Sequence, residues 1–118
     1  MTNPTDLPAG AAGFVDHIGI AVEDLEQALV LYRDLMGLEL ERIEEIPSEQ
    51  VKVAMLRLDR TGAVGHVELL APMSDEGNIA KFIAKKGPGL HHVAFAAADI
   101  ETVMQRCRDA GLRLLDET

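Results

Sequence analysis

His17 and His92 hold matching places in two similar stretches, VDHIGIAV and LHHVAFAA, that lie 75 residues apart in this chain of 118. Imidazole nitrogen is a common ligand of borderline divalent ions such as Co2+, Zn2+, Mn2+ and Fe2+. A carboxylate would complete such a set, and GHVELLAP offers Glu68 within an otherwise apolar run. A buried, unpaired carboxylate costs several kcal/mol, so Glu68 calls for a cation or strong donors unless it lies on a solvated face. His66 in the same stretch is a competing candidate, but nothing in the repeated pattern supports it.

Alternation along a strand decides which side chains share a face. Val15, His17, Gly19 and Ala21 share one face of the first stretch, and Leu90, His92, Ala94 and Ala96 share one face of the second. In both, the histidine stands mainly over small residues, which leave room for a cavity and fill a core poorly. His91 is expected on the opposite face from His92, pointing away from any site. His17, Glu68 and His92 are therefore the expected metal ligands.

The elements that must position these residues are legible from periodicity and punctuation. Strands are expected over 14–22, 38–46, 51–59 and 65–72, with helices over 23–37 and 78–87. Asp24 with Gln27 forms a capping box for the first helix, and Gly37 stops it. Asn78 is the expected cap of the second and Gly87 its stop. From residue 90 the opening pattern returns: Asp99, Glu101, Arg108 and Asp109 match Asp24, Glu26, Arg33 and Asp34. The apolar positions Ile100, Val103, Met104 and Cys107 likewise match Leu25, Ala28, Leu29 and Tyr32, and are expected to be buried. A repeat of this length predicts two copies of one βα-plus-strands unit. The expected organisation is a flexible tail over 1–13, a first βαβββ module over 14–73, a connecting segment with a short helix over 74–88, and a second module over 89–118. That second module reaches a strand at LRLLDE and stops before its last two strands.

Composition bounds the function. With 47% hydrophobic and 26% charged residues the chain is globular, and a net charge of −9 argues against nucleic acid or an anionic membrane as partner. A single cysteine, Cys107, fits a reducing compartment, and no secretory signal or membrane span is evident, so a cytoplasmic location is expected. Cys107 has no nucleophile–base constellation around it. Lys85 and Lys86 at a helix end are read as partners of the helix dipole rather than of phosphate. There is no Walker or dinucleotide-binding glycine pattern.

Paired βαβββ units, each opened by a histidine, with a carboxylate on the fourth strand of the first, resemble the vicinal-oxygen-chelate superfamily. Within it, DHIGIAVEDLEQALVLYRDLMGLEL, EEIPSEQVKVAMLRL and VELLAPMSDEGNIAKFIAKKGPGLHHVAF are similar to the methylmalonyl-CoA epimerase family, and the likeness runs from Phe14 to Thr118. The resemblance implies an α+β fold of paired βαβββ modules. It implies an isomerase that interconverts the epimers of methylmalonyl-CoA through a metal-stabilised enolate, working as a homodimer with Co2+ as the foremost ion. It matches His17, Glu68 and His92 to three ligands of that family, with Glu68 where several relatives carry glutamine. Two departures stand out: a fourth ligand, a glutamate on the last strand of the second unit, has no counterpart by Thr118. Val53 occupies the place of a glutamate that is a candidate base in some relatives. No catalytic acid or base is thereby identified. A sequestering protein of the same superfamily and a glyoxalase I-type isomerase are the alternative readings.

Overall fold

The computed structural model describes residues 12–61 and 64–113. Strand β1 (Ala12–Ala21) leads into helix α1 (Leu25–Leu29), which passes directly into a π-helical turn over Val30–Leu35. Strands β2 (Glu39–Ile46), β3 (Val51–Arg57) and β4 (His66–Pro72) follow, then helix α2 (Asn78–Lys86), strand β5 (Gly89–Ala97) and helix α3 (Ile100–Asp109). This is an α+β fold with one mixed sheet in the order β2-β3-β4-β1-β5. β2 and β3, and β3 and β4, are antiparallel, whereas β1 lies parallel to β4 with Gly19 opposite Glu68. Val15–Ala94 form one compact unit; the remaining described residues belong to a second.

Within the larger unit, period-2 patterning places apolar side chains on both faces of β3 and β4. Ala54, Leu56, Val67, Leu69 and Ala71 face one way and bury Leu25 and Leu29 of α1. Val51, Val53 and Leu70 face the other way and gather with Ala21 and Ile79 of α2. Glu68 lies between Val67 and Leu69 in sequence and so projects to the second face, beside Leu70. The interior strands thus hold a carboxylate among apolar neighbours. Burial of a strand on both faces by helices gives it a fixed position.

Several expectations need correction. The first helix is not one continuous α-helix to Gly37: Met36 N–H donates to Leu31 O at 2.9 Å, the i→i−5 spacing of a π turn. Asp24 does cap α1, accepting from Gln27 N–H at 3.0 Å. Helix α2 is capped by Gly77 rather than Asn78. A Cβ at position 77 would lie 2.7 Å from Glu49 O, so the close chain there requires glycine, and Asn78 is displaced into the first turn. No residue of α3 is buried, including Ile100, Val103, Met104 and Cys107, which were expected to be. Of the strand expected at LRLLDE, Leu112 and Arg113 are not in a strand, Leu112 N–H donating instead to Cys107 O at 2.9 Å, and the rest lies outside the described residues.

Candidate metal centre

Three adjacent strands deliver the three expected donors. His17 comes from β1, Glu68 from β4 and His92 from β5, and one ligand atom of each lies within 4.8 Å of the others. His17 Nε2 is 3.1 Å from His92 Nε2, and Glu68 Oε1 is 3.3 Å from His92 Nε2 and 4.0 Å from His17 Nε2. Donors bound at about 2.1 Å to a tetrahedral or octahedral ion stand roughly 3.0–3.4 Å apart. Two of the three edges meet that spacing. The third is wider, and Glu68 has a second oxygen and a rotatable stem with which to close it. All three side chains are half-buried, which suits an ion reached from a cleft.

The hydrogen bonds behind the cluster orient both rings. The Asp16 carboxylate only accepts, so His17 Nδ1–H donates to Asp16 Oδ2 at 2.8 Å, and the Nε2 of neutral His17 presents a lone pair. His92 Nδ1 lies 2.9 Å from His91 Nδ1, where one of the two must donate. With His92 as the donor, its Nε2 also presents a lone pair toward His17. Two lone pairs 3.1 Å apart need a proton or a cation between them. Burial lowers the pKa of His92, and nearby His17 and His91 lower it further, while the Glu68 carboxylate opposes the shift. The neutral, ligating form of His92 is thereby favoured.

Room for this arrangement comes from Gly19. Any Cβ there would overlap the His92 imidazole, which lies directly over the strand. A glycine within a strand pattern is the sequence signal for such an approach. Asp16 was not singled out from the sequence; its type and its place beside a ligating histidine were the available signal.

His91 departs from expectation. Its ring does not point away but borders the same cavity as His92, resting edge-on against Phe82 with centroids 4.8 Å apart. Alternation fixes the Cα–Cβ direction, whereas two further torsions decide where an imidazole ends. His66 is drawn elsewhere: its Nε2 lies 3.0 Å from Glu41 Oε2, which also accepts from Arg57. Cys107 is a partly buried free thiol. Lys86 sits 5.9 Å over the Phe82 ring, in the last turn of α2 where cations complement the dipole.

A cavity of about 250 Å³ opens beside the cluster. Glu68, His91 and His92 line it together with the apolar Val51, Val53, Leu70 and Ile79. A charged cluster next to an apolar wall can bind a polar head and exclude water from it. No helix among the described residues is long and apolar enough to cross a membrane.

Comparison with known proteins gives a consistent set of relatives. The profile of the Glyoxalase/Bleomycin resistance protein/Dioxygenase superfamily matches residues 16–118. The ethylmalonyl-CoA/methylmalonyl-CoA epimerase of Cereibacter sphaeroides is 35% identical over 104 residues, covering 87% of this chain and 75% of that protein. The crystal structure of methylmalonyl-CoA epimerase from Mycobacterium tuberculosis superposes with a TM-score of 0.82 at 34% identity, covering 95% of this chain and 73% of the other. A variant of the Streptomyces coelicolor methylmalonyl-CoA epimerase, solved with 2-nitronate-propionyl-CoA, gives 0.78 at 35% identity over 91% of this chain and 79% of that one.

Proposed function

This chain belongs to the Glyoxalase/Bleomycin resistance protein/Dioxygenase superfamily, and from that membership we propose that it is a metal-dependent epimerase of methylmalonyl-CoA. The observation that carries the reading is the convergence of His17, Glu68 and His92 beside a cavity, in a chain about one-third identical to epimerases. In this reading the three side chains hold a divalent ion, Co2+ foremost, with Zn2+, Mn2+ and Fe2+ suited to the same donors. Held by these residues, such an ion would supply Lewis-acid stabilisation of an enolate.

The chain's own groups do the rest. Asp16 holds the His17 ring with Nε2 turned inward, and His91 supports His92 from behind. The apolar wall of Val51, Val53, Leu70 and Ile79 keeps water from the α-carbon, so that the field of the cluster acts at low dielectric. We include in the proposal that two copies associate as a homodimer, which sedimentation equilibrium measures directly.

The test is solvent exchange. In D2O with Co2+, the protein is expected to replace the α-proton of methylmalonyl-CoA by deuterium, and to stop when the ion is chelated. Tight binding of methylmalonyl-CoA without exchange, at any of the four ions, would instead favour a sequestering role. The apolar Val53 on the cavity wall is the feature that favours that second reading.

A further inference from the structure

The cavity has one carboxylate that the ligand set leaves over. Glu49, an exposed residue, borders it together with Glu68, His91 and His92. Of the ionisable groups there, Glu68 and His92 belong to the donor cluster and His91 is engaged at Nδ1 by His92. Asn78 can orient a substrate but cannot exchange a proton with it. Buried Val53, lining the same cavity, has no proton chemistry at all.

The backbone that carries Glu49 is also held in place. Glu49 ends a one-turn 3₁₀ helix, Pro47–Glu49, whose next residue Gln50 adopts a left-handed conformation at φ 54°. Gln50 closes the turn with two bonds to Pro47 O, from its backbone N–H at 3.2 Å and its side-chain Nε2 at 2.8 Å. Met73 N–H donates to Gln50 O at 2.9 Å, tying the turn to the end of β4. Gly77 lies close against Glu49 O and Gln50, so the start of α2 seats on the same turn. A carboxylate on a clamped turn at a cavity's border has the placement that proton transfer to a bound substrate requires.

We propose that Glu49 is the acid–base group serving one face of the substrate's α-carbon, a role that rests on the epimerase reading. The Cα–H bond breaks, an O–H bond forms on the Glu49 carboxylate, and the electron pair moves into the thioester to give the enolate. In the reverse direction the same O–H returns its proton to that face. Inversion then requires delivery from the opposite face by a second group.

The experiment compares wild type, Glu49→Gln and Glu49→Asp, starting separately from each pure epimer in D2O and following both deuterium incorporation and inversion. Glu49→Gln is expected to lower the inversion kcat by about 10²- to 10⁴-fold with little change in KM. It should retain a full complement of metal. One epimer, whose α-proton faces the second group, should still exchange with solvent while the other does not; Glu49→Asp should recover part of the inversion. Inversion by Glu49→Gln within a few-fold of wild type would overturn the assignment and leave the epimerase reading standing. Equal loss of exchange from both epimers, or metal loss accompanying it, would also overturn it, by making Glu49 structural. A wild-type protein that exchanges neither epimer would overturn the epimerase reading, and the role of Glu49 with it.

Discussion

An alanine at position 19 would drive its methyl group into the His92 ring, which nothing but a hydrogen atom now faces. Gly19→Ala is therefore expected to lose most of the bound divalent ion, measured by mass spectrometry of the purified protein, although residue 19 donates no ligand atom. His17→Ala with His92→Ala should abolish stoichiometric metal; retention of one ion per chain would refute the ligand assignment. Removing the carboxylate behind a ligand is milder. Asp16→Ala frees the His17 ring and should weaken metal affinity by about 10- to 100-fold, a loss that calorimetric titration would resolve. Acid has a predictable sign, because protons compete with metal for imidazole. Burial holds His92 below the ordinary imidazole pKa, so this ligand stays neutral at pH values where a free histidine is already charged. Metal retention, followed by dialysis at stepped pH, should accordingly fall as the medium is acidified, and the lowered pKa of His92 moves its share of that loss to more acid pH.

At the scale of elements, the site depends on two apolar layers that lock β3 and β4. Leu29 of α1 is fully buried in the first layer, and Leu29→Ala is expected to destabilise the protein by about 2–5 kcal/mol in urea unfolding. Most of these elements were legible in the sequence because their physics is local. Alternation set the faces of β1, Asp24 announced its cap, and the repeat singled out His92 over His91. What escaped depends on neighbours distant in sequence. Whether Gly77 or Asn78 caps α2 is decided by the Glu49 carbonyl, 28 residues earlier. Whether α3 buries its apolar side depends on what stands beside it, which helical spacing does not encode. The π turn after Leu29 is a shift in backbone hydrogen-bond register, and side-chain spacing over a single turn carries almost no trace of it. Asp16 and His91 escaped for a different reason: strand alternation describes backbone direction, whereas their roles arise from side-chain torsions.

For the molecule as a whole, the sheet order joins strands that are far apart along the chain. β1 pairs in parallel with β4, and β5 follows β1 in the sheet. A parallel pairing cannot form by a simple hairpin, so β1 must wait for β4 before it is fixed. The cluster needs β5 as well, and so is complete only when residue 92 is in place. Contacts of such long sequence separation form late. An ion captured there would strengthen the native state while leaving the folding transition state almost untouched. Stopped-flow measurements should then show divalent metal slowing the unfolding rate while refolding proceeds at its metal-free rate. The parallel pairing of β1 with β4 thus makes the centre a latch, closed last during assembly and released first on the way out.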